Sequence, residues 1–238
     1  MDLSGLTKLN KKSFEDTYDI IDDTEDFLIV LKKHGVAVQA TDSEQDDLEK
    51  ILKDKYKTPI FVLNRIDQPV TGLVIFGKNK KFTEAFTEMF KERVIKKTYL
   101  AIVAGTPEKG TTKLTHFIKK LHNRAMTADE KVDENFKESV LYYTLIQSFD
   151  NYHLLKVDLE TGRFHQIRAQ LATMEMPIKG DLKYGSRRPN LDRSICLLSY
   201  KLAFTHPFTG KKYEYKAPFP TNDVLWGLVD EKLVNDSF

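Results

Sequence analysis

The sequence is poor in cysteine and contains no long hydrophobic run. Its single cysteine, Cys196, excludes an intrachain disulfide and a metal site built from several cysteines, and its six histidines show no close ligand spacing. No stretch approaches the roughly 18 uninterrupted apolar residues of a membrane-spanning helix, and the polar segment 1–16 lacks the apolar core of a signal peptide. These absences predict a protein of the reducing cytoplasm that binds neither a membrane nor a metal ion.

The chain also has no linker rich in proline, glycine or serine, no internal repeat and no low-complexity segment. Its 238 residues correspond to between one and two domains. Without a linker to separate two domains, the sequence predicts a loose N-terminal arm over residues 1–20 and one domain over residues 21–238.

Charge is balanced overall but unevenly distributed. The 37 Lys and Arg residues minus the 35 Asp and Glu residues leave +2. Residues 78–124 hold twelve basic and four acidic side chains and residues 160–216 hold eleven and five, whereas residues 1–60, 125–159 and 217–238 are net acidic. Charge alone leaves two interpretations open: a scattered lysine-rich surface, or one cationic face that attracts polyanions if the two basic blocks fold together.

The hydrophobic pattern predicts more strands than helices. Apolar residues at helical spacing predict an amphipathic helix over residues 80–92, and a second helix is predicted over residues 164–174 with Thr161 as its cap. The polar segment 41–57 is predicted to be a helix or a loop. The predicted strands cover residues 27–31, 36–39, 62–66, 72–76, 97–104, 140–149, 152–159, 197–204 and 211–216. This order predicts an α+β fold with a mixed, largely antiparallel sheet and flanking helices.

The first chemically informative segment is NRIDQPVTG, residues 64–72. Asp67 lies here between two apolar runs, so its carboxylate is placed at a strand end or in a loop. Pro69 favours a turn, and Gly72 permits close approach of another backbone. Taken alone, an ordinary turn residue explains Asp67 better than a catalytic carboxylate does.

Two further segments concentrate polar side chains around glycines. The sequence ETGRFHQIR, residues 160–168, places two arginines, a histidine and a glutamine at a turn that opens a helix. Guanidinium groups and helix N-terminal amides both favour anions, although a solvated helix face is the alternative. The sequence PIKGDLKYG, residues 177–185, is by itself typical of a surface loop.

In this order and spacing the segments resemble the RluA-type family of pseudouridine synthases. Its motifs are matched by the R-I-D of segment 64–72, by the K-x-Y of residues 97–99, by an ungapped T-G-R-x-H-Q-I-R at 161–168, by the P-I-x-G-D-x-x-Y-G of 177–185 and by the F-x-H-P of 204–207. The resemblance spans about residues 25–220. It implies the pseudouridine synthase fold with a central cleft, and an enzyme that isomerises uridine in ribosomal or transfer RNA. It also implies flipping of the uridine out of its stack, no cofactor and no obligatory protein partner.

The resemblance also implies roles for individual residues. Asp67 is expected to be the nucleophile, Arg168 to be its ion-pair partner, and Tyr99 to stack on the target base; Arg163 is the competing assignment for the partner. Substrate or RNA contacts are expected from Arg65, Arg163, His165, Gln166, Lys179, Tyr184 and Leu197. The two basic blocks then form the RNA-binding face, and the basic insert within residues 105–139 is hypothesised to select the substrate.

Five positions depart from the family pattern. Asn64 and Leu198 stand where histidine is common, His34 stands where proline is common, and Val70 and Thr71 replace small hydroxyl residues. None of these changes removes the carboxylate, so they bear on the substrate more than on the reaction. Because the family pattern starts near residue 25, we expect this sequence to lack the S4-type RNA-binding module of some relatives.

Two other functions stay open. A glycoside hydrolase usually needs two carboxylates, and the R-I-D segment offers one. The other alternative is an RNA-binding or RNA-folding protein with a vestigial synthase site, against which the intact Asp67, Tyr99 and Arg168 argue.

Overall fold

The structure, a computed structural model, describes residues 14–40 and 47–238. The first thirteen residues of the predicted arm therefore lie outside the described residues, as do residues 41–46 of the polar segment 41–57. The predicted arm boundary at residue 20 differs from the structure, because Tyr18–Asp23 already forms a strand that pairs with Phe27–Lys32.

One sheet runs through the described part of the chain. Its strands are β1 (Tyr18–Asp23), β2 (Phe27–Lys32), β3 (Phe61–Val62), β4 (Thr71–Gly77), β5 (Lys96–Val103), β6 (Thr111–Leu121), β7 (Arg124–Ala128), β8 (Lys137–Ser148), β9 (His153–Leu159), β10 (Leu197–Thr205) and β11 (Lys212–Lys216). The helices are α1 (Leu48–Tyr56), α2 (Lys80–Lys91), α3 (Gln166–Thr173), α4 (Val224–Gly227) and α5 (Glu231–Asp236), with short 3-10 helices at Phe14–Thr17 and Leu182–Tyr184.

The strand order is β1-β2-β4-β10-β5-β9-β8-β6-β7, with β3 beside β4 and β11 beside β10. Only the pairing of β10 with β4 is parallel among these described pairs. The predicted α+β class with a mixed, largely antiparallel sheet is therefore confirmed. Both predicted hairpins are present, as β8–β9 and β10–β11, and the segment 105–139 contains the hairpin β6–β7.

Aromatic side chains fill the contact between α2 and the sheet. Phe82 and Phe86 of α2 are fully buried. Their rings lie 5.4 Å from that of Phe27 and 4.9 Å from that of Phe204, respectively, measured between centroids. Asn79 begins the helix by accepting a hydrogen bond from the Phe82 amide. The helix predicted from this apolar spacing is confirmed as α2.

Two predicted strands are wrong because side chains take hydrogen bonds that a strand would leave to the backbone. The predicted strand 36–39 is an irregular segment with bends, and the Lys32 ammonium donates to the Val36 carbonyl at 3.0 Å. The predicted strand 62–66 pairs only at Phe61–Val62. Beyond it, the Asn64 side chain accepts from the Ile75 amide at 2.8 Å, where a paired strand would present a carbonyl.

The predicted capping of the second helix by Thr161 is also wrong. The Thr161 hydroxyl instead accepts from the Val140 amide and donates to the Gln166 side chain. His165 adopts the left-handed conformation, with φ 52°, so the helix begins at Gln166 rather than at residue 164.

The parallel pairing of β4 with β10 depends on Gly72. Its φ is +134°, and a Cβ on it would lie 2.4 Å from the Ser199 carbonyl oxygen. We expect Gly72→Ala to lower the free energy of unfolding by about 3 kcal/mol, because backbone strain and a clash with β10 add. Urea denaturation measures this change.

Gly110→Ala is the matched control, because Gly110 also has positive φ but a Cβ added there would meet no atom within 4 Å. This control should cost about 1 kcal/mol. Equal losses for the two variants would contradict the importance of the β4–β10 approach.

Candidate active site

Asp67 lies in the loop between β3 and β4, on the wall of a cleft with a cavity volume of about 640 Å³. The loop is closed by a hydrogen bond from the Val70 amide to the Asp67 carbonyl at 3.0 Å. The Asp67 side chain is 25% exposed, so it faces the cleft without being free in solvent. This loop places a carboxylate at the centre of the strongest candidate site.

Arg168 of α3 joins two carboxylates. Its Nη1 donates to Asp67 Oδ2 at 2.8 Å, while its Nε and Nη2 donate to Asp181 at 2.7 and 2.9 Å. Burial opposes the charged form, but the hydrogen bonds and charges of Asp181 and Asp67 outweigh it and raise the pKa of the Arg168 guanidinium. The predicted neighbour relation between Asp67 and Arg168 is therefore present in the structure.

Asp181 was not among the sequence-predicted site residues, although it is the aspartate of the P-I-x-G-D segment. It is almost fully buried, and both of its oxygens accept hydrogen bonds from Arg168. Asp67 Oδ1, in contrast, makes no hydrogen bond among the described residues, whereas Oδ2 is held by Arg168. One oxygen of Asp67 is thus anchored and the other is left for a ligand.

His165 contacts the same carboxylate from the turn before α3. Its Nε2 lies 3.5 Å from Asp67 Oδ2, and its Nδ1 lies 2.9 Å from the Tyr184 hydroxyl, which itself accepts from the Ala125 amide. Burial lowers the pKa of His165 to about 4, with the Asp67 charge opposing this shift. His165 is therefore neutral at neutral pH, and Tyr184 lies behind it rather than on the cleft wall.

Tyr99 enters the cleft from β5. It also lines a smaller recess together with Asp67, Gln166, Leu197 and other residues. Burial raises the pKa of Tyr99 to about 12, so its phenol stays protonated at neutral pH. The carboxylate, the tyrosine and the leucine predicted from the sequence are thus brought to one place.

The remaining predicted contacts separate into three groups. Arg65 is exposed on the cleft wall, and Arg163 also lines the cleft while its Nε donates to the Glu138 carbonyl at 3.3 Å. Gln166 is buried, and its side-chain amide makes hydrogen bonds within the protein. Lys179 does not line the cleft, because its ammonium donates to Asp223 and Asn190 instead. The prediction that Lys179 lies in the site is therefore corrected.

Lys32 is a residue near the site that sequence reasoning missed. Its ammonium is fully buried and donates to the carbonyls of Lys33, Val36 and Gln68. Burial lowers the pKa of Lys32 to about 7, and the charge of Asp67 opposes this shift. Its position at the end of an uninterrupted apolar strand was the available signal, because a lysine there has no solvated face.

The cleft wall is cationic. Its charged lining residues are Arg65, Lys97, Lys120, Arg163, Arg168 and Lys183, with Asp67 as the one carboxylate among the described residues that line it. Lysines of block 78–124 thus meet cations of block 160–216 across one cavity. Of the two interpretations of the charge pattern, this meeting supports the cationic face.

The part of the chain that the structure describes contains neither a group of metal ligands nor a membrane-spanning helix. No group of three or more His, Cys, Asp or Glu side chains there is placed to hold a metal ion. In the same part, no helix combines the length and the apolar character needed to cross a membrane.

Comparison with known proteins adds a family to this geometry. The family model for RNA pseudouridylate synthase matches residues 26–173. Ribosomal large subunit pseudouridine synthase C of Rickettsia felis is 30% identical over 217 residues, which cover 90% of this chain and 70% of that protein. An uncharacterized RNA pseudouridine synthase of Bacillus subtilis, YlyB, is 30% identical over 161 residues, or 67% of this chain and 52% of that protein. The chain therefore spans about half the length of several curated relatives that it matches.

A solved structure shows the same fold. Human RNA pseudouridylate synthase domain containing 1 superposes with a TM-score of 0.71 at 23% sequence identity, covering 87% of this chain and 86% of that one. The predicted fold is confirmed by this likeness, which at such an identity concerns the fold alone.

The neutral state of His165 makes a pH-dependent contribution to stability. An unfolded histidine has a pKa of about 6.5, so between that value and about 4 the unfolded chain binds a proton that folded His165 excludes. The contribution is fully present above pH 6.5 and is lost as the pH falls toward 4. We expect His165→Gln to remove this part of the acid sensitivity, as measured by urea denaturation at several pH values.

The control is His153→Gln, a histidine of β9 that lines neither cleft cavity. The difference in the free energy of unfolding between the unaltered chain and His165→Gln should shrink on acidification. The corresponding difference for His153→Gln should not show this decrease. A His165→Gln difference that stays constant with pH would show that His165 is not held neutral.

Proposed function

Because the chain belongs to the RluA-type family of RNA pseudouridine synthases, we propose that it converts uridine in RNA into pseudouridine. Relatives named ribosomal large subunit pseudouridine synthases C and D favour ribosomal RNA as the substrate. The observation that carries the proposal is the Asp67–Arg168–Asp181 chain of ion pairs at the wall of a cationic cleft.

The reaction is an isomerisation that needs no co-reactant. The bond between N1 and C1′ breaks, the uracil turns, and a bond between C5 and C1′ forms. The proton lost from C5 is balanced by the proton gained at N1. We assign Asp67 as the nucleophile, which requires its carboxylate to be ionised. Oδ1 of Asp67, which accepts no hydrogen bond among the described residues, is the oxygen available to the substrate.

Arg168 acts as a positioning residue. Its three donors hold Asp67 and Asp181 at once, which fixes the direction of the Asp67 carboxylate. Arg163, the competing partner from the sequence, lines the cleft with its Nε on a backbone carbonyl. We assign Arg163 to a phosphate contact.

Tyr99 and Leu197 bound the place for the target base. The base must leave its stack before its reacting atoms can be reached. Stacking on an aromatic ring contributes about 1–3 kcal/mol per base, and we assign the Tyr99 phenol a further part in the movement of the proton that C5 loses. Exposed Arg65, on the same wall, takes the space that the flipped uridine leaves or holds a neighbouring phosphate.

The glycosidase alternative loses support from the position of the second carboxylate. Asp181 is the carboxylate joined to Asp67 through Arg168, but both of its oxygens accept from the guanidinium and its side chain is buried. It cannot serve as the general acid that a glycoside hydrolase requires. RNA binding without modification stays as the alternative that the experiment must separate.

Asp67→Asn should abolish modification while keeping the shape of the side chain. We expect the rate of pseudouridine formation to fall at least about 1,000-fold, with RNA affinity changed less than threefold. Single-turnover assays and RNA titrations of the purified chain measure the rate and the affinity, and a pseudouridine map of total RNA from cells lacking the chain and cells re-supplied with the unaltered chain or the variant identifies the modified site. Asp150→Asn, at an exposed turn, is the matched control.

Three outcomes would contradict parts of the proposal. Modification that persists in Asp67→Asn would reject the nucleophile. Loss of RNA affinity together with modification would make Asp67 a folding or binding residue. A map that is unchanged without the chain would favour the RNA-binding alternative.

Arg168→Lys tests the positioning role, because it keeps the charge but cannot bridge two carboxylates. We expect the single-turnover rate at saturating RNA to fall at least about 100-fold, as a misplaced reacting group does, with RNA affinity preserved. Arg163→Gln should show the reverse pattern, a weaker affinity and a retained rate. Identical patterns for the two variants would reject the division of roles.

A further inference from the structure

The cleft continues into a second cavity of about 710 Å³. The two cavities share the wall residues Phe90, Lys97, Leu159, Gly162 and Arg163. The second cavity therefore begins where β5 starts and β9 ends, and it extends away from Asp67 toward Phe238. A ligand that leaves the first cavity at this shared wall therefore adjoins the second cavity.

The second cavity is strongly cationic. Its charged side chains are Lys91, Arg93, Lys96, Lys97, Lys156, Arg163 and Lys201, against Asp158 and Glu160. Four of these cations are paired with carboxylates. Arg93 pairs with Glu160 at 2.9 Å and Lys156 with Asp158 at 3.7 Å, while Lys91 and Lys201 pair with carboxylates outside the lining, Glu88 at 2.6 Å and Glu214 at 3.1 Å. The other three, Lys96, Lys97 and Arg163, have no carboxylate within ion-pair distance among the described residues. The excess of positive charge fits a polyanion that passes along the wall.

Lys97 stands at the junction between the two cavities. No carboxylate lies within ion-pair distance of its ammonium among the described residues, and the ammonium lies over the Phe90 ring, 4.9 Å from its centroid. A Cβ on Gly162 would lie 3.4 Å from the ammonium, so the absence of a side chain at 162 leaves room for it. Burial without a counter-charge lowers the pKa of Lys97, and an anion at the junction would supply the missing partner.

We propose that the second cavity binds the RNA strand on one side of the target uridine, with Lys97 contacting the phosphate at the junction. This inference rests on the proposed function for its choice of polyanion. A flipped uridine at Asp67 leaves its neighbouring nucleotides outside the first cavity, and the shared wall leads one flank past Lys97. Exposed Lys96, the residue before Lys97 on β5, meets a later phosphate of the same strand.

The salt dependence of binding tests this contact without requiring turnover. The probes are oligouridylates of four and twelve nucleotides, of which the longer one has more phosphates to place along the second cavity. Each phosphate contact on single-stranded nucleic acid contributes about 0.7 to the slope of log affinity against log salt. We expect Lys97→Met to reduce the slope for the longer probe by about 0.7, and Lys96→Gln to reduce it by a similar amount.

Lys212→Met is the matched control, because Lys212 is an exposed strand lysine that lines neither cavity. It should leave the slope unchanged. Lys97→Arg should restore the slope, since a guanidinium also binds phosphate. The four-nucleotide probe should lose less affinity than the longer probe in Lys96→Gln.

The outcomes separate this inference from the proposed function. Slopes unchanged in both Lys97→Met and Lys96→Gln would overturn the second cavity as an RNA subsite, whether or not the chain modifies RNA. Tritium release from RNA labelled at uridine C5 reports modification separately. A reduced slope without tritium release would keep the RNA subsite and reject the synthase activity.

Discussion

A single buried guanidinium holds the site together. Arg168 lies between Asp67 and Asp181, and each of the three side chains comes from a different part of the chain: α3, the β3–β4 loop and the loop after α3. A buried charge without a partner is costly, and the cost is largest when one member of a buried ion pair is removed. The two loops must therefore approach α3 closely, or one of the charges would be left without a partner.

The sheet brings the other half of the site to the same place. Ser199 of β10 pairs with Gly72 of β4 on one side and with Tyr99 of β5 on the other. Asp67 lies five residues before Gly72, so the loop that carries it projects beside the strand that carries Tyr99. The parallel pairing of β4 with β10 thus sets the distance between the carboxylate and the aromatic ring, and it requires a residue without a side chain at Gly72.

Regular periodicity made much of the fold predictable. The phenylalanines of α2 repeat at helical spacing, and the turn residues before β9 and before β11 mark hairpins. The errors occur where side chains replace backbone hydrogen bonds. The Asn64 side chain ends β3 early by accepting a hydrogen bond from the backbone of β4. The Thr161 hydroxyl donates to the Gln166 side chain instead of capping α3.

The candidate site was predictable to the extent that it lies in contiguous motifs. Asp67, Tyr99, Arg168 and Leu197 meet as the motifs imply, although their roles stay predictions. Lys179 was misplaced because its partner Asp223 lies more than forty residues away in the sequence, beyond the reach of any local pattern. Lys32 offered a local signal in its position at the end of an apolar strand, but its acceptor at Gln68 belongs to a loop that only the folded sheet brings near.

The charges around Asp67 bear on an electrostatic requirement of the proposed reaction, in which a carboxylate acts on RNA. A phosphate backbone repels a carboxylate, so under the proposed function an unaccompanied Asp67 would weaken the binding of RNA. Arg168 and the cationic wall reverse the local potential, and the buried Lys32, whose pKa burial lowers to about 7, adds a partial positive charge near the loop that carries Asp67. Burial of the imidazole, together with the charges of Arg168 and Lys183, keeps His165 neutral beside the carboxylate. A second positive charge on that imidazole would compete with Arg168 for Oδ2, so its neutrality preserves a single, directed ion pair and one unoccupied oxygen.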